Sequence, residues 1–358
     1  MRIAIIGTLA GHGPGRDGVD KALSEICPRL AERGYRIDVF CERRQLLACA
    51  SIEGARLIRV PHLPLGLGRA SPHALLSSLL AAVRGYDVVN FFAAHPPGLY
   101  SMAAHLGGAR TVTSIHGLER ADSLAPGPVA TAARLADAVI VSSRRLERLF
   151  RDSFGRDAVY IPNGVDPPGR PADSSLLEPL GLEPDSYVLF ADRLEAETGA
   201  HVAVAAANAL PPHRKLVIAQ VGEGDDEYAR QLRSTADPER VVFAGKVEAA
   251  LLDALMGHAY LYLLPSQADE APETLLASLT HGRAVLASDV PEHLDVMAGD
   301  GFTFTAGDVG DLRRVLSWLS ADPEVVGRMR LRASESAAGR FGWDRIADAY
   351  EQVYRAIV

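Results

Sequence analysis

The chain has 358 residues, 48% hydrophobic and 23% charged, which are globular values well outside the disordered range. Its 37 basic and 45 acidic residues leave a net charge of −8, which argues against a nucleic-acid partner because phosphate binding is driven mainly by Lys and Arg. No apolar run reaches the roughly 18 residues needed to cross a bilayer, so no transmembrane segment is expected, although peripheral contact with a membrane stays open.

The first segment, 2–7, is apolar and runs straight into a Gly-rich turn, so it reads as a strand and not as a signal-peptide core. Further strands are predicted at 36–41, 56–60, 87–92, 110–115, 138–142 and 158–161. Between the first two, Leu23, Ile26, Cys27 and Leu30 recur at helical spacing, and Gly34 suits a left-handed cap after them. Arg29, Arg33, Arg36, Arg43 and Arg44 are interspersed with Glu25, Glu32 and Glu42, which predicts a solvated mixed-charge face. Cys27, Cys41 and Cys49 cannot all pair and show no metal-ligand spacing, so reduced thiols and a cytoplasmic setting are expected.

Residues 163–179, rich in Pro, Gly and Asp, read as the linker to a second series of strands at 187–191, 215–219, 240–244, 260–264 and 284–288. Both series are near-continuous apolar runs alternating with helical patterns, as in parallel sheets covered on both faces. Two doubly wound α/β domains follow. The final segment, 343–358, is an apolar-striped helix carrying Ile346, Ala347, Tyr350, Val353 and Tyr354. Periodicity alone allows it to cap the second domain or to return to the first.

Ligands of open parallel sheets bind where strands end and helices begin. Five such places stand out. Gly7 to Gly18, with Gly11 and Gly13 between, follows the first strand, and glycines let backbone approach a ligand; a mobile loop has the same composition. His116 follows a strand end and can contact a substrate or serve the structure only. Asn163-Gly164 is a turn, read as a domain joint. Arg193, after the strand at 187–191, can reach a diphosphate or pair with a nearby Glu. Residues 264–277 combine a strand, an acidic loop and a helix start.

Taken in this order, the five segments resemble the retaining glycosyltransferases of family 4, which have the GT-B fold of two Rossmann-like domains. The resemblance spans essentially the whole chain and is carried by Tyr160 to Asp166, Gly282 to Glu292 and Ala306-Gly307-Asp308. It implies an acceptor domain at 1–165, a nucleotide-sugar domain at 166–342, and a C-terminal helix at 343–358 that crosses back to the first. It also implies a nucleotide sugar as co-substrate, with no metal or other cofactor. The acceptor is unknown, with polysaccharide, glycoconjugate and natural-product assembly as candidate settings. Abundant Ala, Arg and Gly suggest a bacterial source.

By the same resemblance, His116, Arg193 and Asp269 occupy the catalytic positions. Gly11, Gly13, Gly18, Thr198, Glu270, Glu273, Thr274, Leu275 and Ala277 occupy donor-binding ones. Several depart from the family pattern: Thr198 stands where a Lys is usual, Asp192 and Glu270 where Gly is usual, and Asp269 and Ala277 where two glutamates are usual. A carboxylate close to a diphosphate costs on the order of 1–4 kcal/mol per pair at surface-like dielectric. Ala277 forfeits a ribose hydrogen bond, roughly 1–3 kcal/mol more. Two expectations follow: an active transferase with a shifted donor site, or a degenerate homologue acting as a binding or regulatory partner.

Overall fold

The computed structural model of the chain describes residues 1–7, 18–42, 51–61, 72–93, 101–115, 134–166, 173–267 and 273–358. They form two compact units, one of Met1–Gly164 with Trp343–Val358 and one of Val165–Gly342. The fold class is α/β with two doubly wound parallel sheets, as the alternating pattern predicts.

In the first unit the strands are β1 (Arg2–Gly7), β2 (Arg36–Glu42), β3 (Ala55–Val60), β4 (Val88–Ala93), β5 (Arg110–Ile115), β6 (Ala138–Val141) and β7 (Val159–Tyr160). The helices are α1 (Gly18–Glu32), α2 (Pro72–Arg84), α3 (Ser101–Leu106) and α4 (Arg144–Phe154), with α12 (Trp343–Ile357) at the end of the chain. Strand order is β3-β2-β1-β4-β5-β6-β7, all parallel, so the order reverses between β1 and β4. There Gly7 passes so close to β4 that a Cβ would lie 2.3 Å from the Phe92 carbonyl oxygen.

The C-terminal helix α12 packs into this unit beside β1, α1 and β4. Tyr350 stacks on Phe92 with ring centroids 5.9 Å apart, and Trp343 covers Gly164. The buried Asn90 amide donates to the Tyr354 hydroxyl at 2.7 Å and its oxygen accepts from Ser114 at 2.9 Å, so a polar side chain in the sheet is satisfied on both ends. Of the mixed-charge run, Glu32 and Arg36 are solvent-exposed as expected, Arg43 and Arg44 lie outside the described residues, and Arg29 and Arg33 have partners on the last helix. Arg29 pairs with Asp344 at 2.8 Å, and Arg33 pairs with Asp348 and Glu351 at 2.6 and 2.7 Å. A sequence pattern could not show this, because the partners lie over 300 residues away. Cys27 and Cys41 are both buried, and burial pushes the Cys27 thiol up to about 12.

The second unit holds β8 (Tyr187–Asp192), β9 (Lys215–Gln220), β10 (Val241–Lys246), β11 (Leu261–Leu264), β12 (Val285–Ser288) and β13 (Phe302–Phe304). Its helices are α5 (Ala200–Ala206), α6 (Asp226–Thr235), α7 (Ala249–His258), α8 (Glu273–Thr280), α9 (Pro291–Met297), α10 (Val309–Ala321) and α11 (Pro323–Phe341). The order β10-β9-β8-β11-β12-β13 reverses between β8 and β11. The edge strand β13 escapes sequence reading because its three residues include a solvent-facing Thr303 and give no sustained period.

Gly164 meets the ring of Trp343 at 2.3–2.6 Å from where a Cβ would stand, and that ring is buried. Gly164→Ala therefore overpacks the seat of α12 and is expected to lower stability by about 1–3 kcal/mol. Urea unfolding followed by tryptophan fluorescence measures this; an unchanged midpoint would contradict the packing described.

Candidate active site

Both sheets direct their strand ends toward loops at one edge, and the reversal points are where adjacent loops diverge and leave room for a ligand. In the first unit the neighbouring strands β1, β4 and β5 end at Gly7, Ala93 and Ile115. The Gly-rich loop with Gly11 and Gly13, and His116, lie outside the described residues. So do Cys49, Asp269 and Glu270. Gly18 opens α1, and Glu273 opens α8.

In the second unit the reversal lies between the ends of β8 and β11. After Asp192 the chain runs through Arg193, Leu194 and Glu195 into a tight 3₁₀ turn, Ala196–Thr198, and enters α5 through Gly199. Gly199 adopts φ +74°, and a Cβ on it would come within 2.3 Å of the Pro265 carbonyl oxygen. Only glycine meets both demands. The exit of β11 is tied to the same turn, since the Gln267 N–H donates to the Glu197 carbonyl at 3.1 Å.

Arg193 lies at this point with 58% of its side chain exposed, its guanidinium 3.6 Å from the Glu195 carboxylate. Diphosphate binding and pairing with a nearby Glu are therefore not exclusive: the ion pair exists, and its partner is exposed enough to be displaced. The loop after β9 flanks it, with Gly222 at φ +75° placing its missing Cβ 3.8 Å from the Arg193 side chain. Lys246, at the end of β10, is a second basic group on this edge of the sheet and pairs with Glu223. Sequence reasoning passed over it, because only the strand order brings β10 to the same edge.

Thr198 turns inward. Its side chain is buried and its hydroxyl donates to the carbonyls of Arg193 and Glu195 at 2.8 and 2.9 Å, so it fixes the turn below Arg193. The Thr274 hydroxyl also faces the core, 2.7 Å from the Tyr262 hydroxyl, which reaches the Ala191 carbonyl at 3.2 Å. Thr274 and Leu275 lie in the first turn of α8, whose backbone N–H groups have no partner within the helix. Ala277 packs against the core.

Two titratable groups under this edge are perturbed. Burial raises the Asp192 carboxyl from 3.8 to about 6; its Oδ1 accepts from the Arg193 N–H at 2.7 Å, and that bond and the Arg193 charge pull the other way. Burial lowers the fully enclosed His293 imidazole from 6.5 to about 4. Its Nδ1 lies 3.1 Å from the Ser288 hydroxyl, and that hydroxyl donates to the Ser266 carbonyl. The neutral imidazole thereby joins α9 to the exit of β11. Among the described residues no three His, Cys, Asp or Glu side chains are grouped to hold a metal ion, and no helix is long and apolar enough to cross a membrane.

Comparison with known proteins bears on this geometry. The family described as Glycosyltransferase Family 4 matches residues 16–168, and Glycosyl transferases group 1 matches residues 185–322. The chain is similar to the D-inositol 3-phosphate glycosyltransferase of Xylanimonas cellulosilytica, at 28% identity over 94% of this chain and 91% of that one. It is also similar to the phosphatidyl-myo-inositol mannosyltransferase of Mycolicibacterium smegmatis, at 26% identity over 100% and 94%. Among solved structures, Anabaena HepE in complex with UDP aligns with a TM-score of 0.80 at 20% identity, over 99% of this chain and 100% of that one. The sucrose-phosphate synthase of Thermosynechococcus elongatus aligns at 0.74 and 20%, over 99% and 98%. These two likenesses show the GT-B fold.

The perturbed pair gives opposing pH dependences. Asp192 holds its proton more tightly folded than unfolded, so its stabilisation is present below about 3.8 and is lost as pH rises to about 6. His293 holds its proton less tightly folded, so its stabilisation is present above 6.5 and is lost as pH falls to about 4. Each amounts to up to about 3 kcal/mol. Asp192→Asn removes the first and leaves the second, so the variant's stability relative to wild type is expected to rise across this window. Urea titrations at a series of pH values read the difference, and parallel curves would refute the burial of Asp192.

Proposed function

The chain belongs to the glycosyltransferases of family 4, and on that premise we propose that it transfers a sugar, with retention at the anomeric carbon, from a nucleoside-diphosphate sugar to an acceptor hydroxyl. The observation that carries this reading is the position of Arg193. It is an exposed guanidinium at the reversal point of the second sheet, on the edge where α8 begins. An Arg fork and a helix start are complementary to phosphate oxygens, one through charge-assisted hydrogen bonds and the other through unpaired amides.

Chemistry of this class needs no covalent intermediate on the protein. The acceptor oxygen enters on the face from which the diphosphate departs, and the protein supplies alignment and charge stabilisation. Arg193 takes the negative charge that develops on the leaving phosphate, assisted by the amides of Thr274 and Leu275. By the family correspondence, His116 contacts the donor sugar beside the reacting carbon and Asp269 holds sugar hydroxyls. Gly11, Gly13 and Gly18 shape the wall facing donor and acceptor. Glu195 competes with the diphosphate for Arg193. Lys246, held by Glu223, supplies further positive potential along the same edge. Uridine is the first base to test, because HepE crystallised with UDP.

Calorimetric titration of UDP, with GDP, ADP and TDP as comparators, tests the donor site. Arg193→Ala is expected to weaken binding of the preferred nucleotide roughly tenfold to a hundredfold, the range of a lost hydrogen bond to a charged group. Glu195→Gln, which releases Arg193, is expected to tighten it a few-fold. Silence from every nucleotide, or an unchanged Kd in Arg193→Ala, would remove Arg193 from the site. Retention is read separately from the anomeric coupling constant of the first-formed product; an inverted centre would overturn it while leaving the donor site intact.

A further inference from the structure

The opposite edge of the second sheet, where its strands begin, carries an arginine cluster that the transferase reading does not use. Arg214 precedes β9, Arg283 precedes β12, and Arg330 reaches across from α11 to the start of β11. The Arg330 Nη2 donates to the carbonyls of Ala259 and Tyr260 at 3.0 and 2.7 Å and to Asp185 at 2.5 Å. Arg283 donates through Nε to the His281 carbonyl at 3.1 Å and through Nη1 to Ala259 at 3.2 Å. The guanidinium carbons of Arg214 and Arg330 lie over the ring of Tyr260, at 3.4 and 5.5 Å from its centroid.

These contacts leave donors over. Among the described residues, the buried Nε and Nη1 of Arg214 and the Nε of Arg330 have no hydrogen-bond partner. The two carboxylates nearby are poor compensation, because Asp185 is 56% exposed and Glu324, 3.8 Å from Arg328, is 90% exposed. Burial, and the neighbouring Arg330 charge after it, hold both Arg214 and Arg283 below the ordinary guanidinium range. Arginine does not give up its proton at any ordinary pH, so this shift registers as electrostatic cost in the unliganded fold.

An open cavity of about 750 Å³ lies beside Arg283 and Arg330, lined also by Arg328, Ser334, the Glu324 carboxylate that pairs with Arg328, and Leu331, which is 70% exposed; Arg214 lies behind this wall and not in it. Its wall also includes Gly327, inside α11, where an added Cβ would meet nothing within 4 Å. Glycine inside a helix costs about 0.5–1 kcal/mol relative to alanine, and here neither packing nor a positive φ calls for it. The effect is to keep the cavity open.

We propose that this cavity binds a phosphomonoester carried on an organic group, the phosphate against the guanidiniums of Arg283, Arg328 and Arg330 and the Ser334 hydroxyl, and the organic part along Leu331. Paired guanidiniums match phosphate geometry, and a space of this size holds more than a phosphate ion. The site lies at the strand starts, away from Arg193 at the strand ends, and does not depend on the donor-site assignment.

Glycerol 3-phosphate is the probe, titrated by calorimetry into the full chain and into Arg193→Ala, Arg283→Gln and Arg328→Gln, with glycerol as the uncharged control. Binding is expected to persist in Arg193→Ala and to weaken roughly tenfold to a hundredfold in Arg283→Gln. Arg328→Gln, whose side chain is exposed and makes no backbone contact, guards against a folding defect and is expected to weaken binding a few-fold. A lipid source is separated from a soluble one by cosedimentation with phosphatidylcholine vesicles with and without phosphatidic acid. Binding lost in Arg193→Ala and kept in Arg283→Gln, or absent from both the soluble and the vesicle arms, would overturn the assignment.

Discussion

The close passage of Gly199 beneath the Pro265 carbonyl is the constraint from which the strand-end edge of the second unit is built. A Cβ at that point would stand 2.3 Å from the carbonyl oxygen, and the backbone there is left-handed. The crossing joins the loop that leaves β8 to the loop that leaves β11, and the hydrogen bond from Gln267 to Glu197 closes the junction. Thr198 then fastens the underside of the loop through its hydroxyl, so Arg193 is presented on a short, internally bonded turn. A cation held this way loses less conformational freedom on meeting an anion than one on an open loop.

The substitutions that distinguish this chain from the family pattern look different once burial is known. Read from sequence, Asp192 adds a carboxylate beside a diphosphate and Thr198 removes a cation. In the structure Asp192 is half-buried, burial pushes its carboxyl up to about 6, and its Oδ1 accepts from the Arg193 N–H. Thr198, for its part, does structural work that a Lys could share only by reaching out of a buried turn. Both positions therefore act on the backbone of the turn that carries Arg193, Thr198 through its hydroxyl and Asp192 through the Arg193 N–H.

Legibility followed the length scale of each interaction. Apolar runs of four to seven residues identified every strand except β13, with ends shifted by one or two residues, and the parallel class followed from their alternation with helical patterns. The seat of the last helix was not legible from periodicity, because a stripe of Ile346, Tyr350, Val353 and Tyr354 fits any apolar face. What seats it is a single buried amide, Asn90, and a glycine, Gly164, each more than 170 residues distant. The same holds for Arg29 and Arg33, read as a solvated run and found paired to α12. At the site, Arg193 was legible as a charge at a strand end. Lys246 and the inward turn of Thr198 were not, because strand order and rotamer decide them. The positions of His116, Asp269 and Glu270 lie beyond the described residues.

The two edges of the second sheet differ in how their positive charge is compensated. Where the strands end, Arg193 and Lys246 each have a carboxylate at hand, Glu195 and Glu223, so each basic group there is paired. Where the strands begin, Arg214, Arg283 and Arg330 crowd one exposed Asp185 and one tyrosine ring, and several buried N–H groups lack any acceptor among the described residues. A buried, unmatched donor costs more than an exposed pair stabilises. Three arginines, Arg283, Arg328 and Arg330, face the open cavity beside this cluster against one exposed carboxylate, Glu324, so the positive charge at this edge is the less compensated of the two among the described residues.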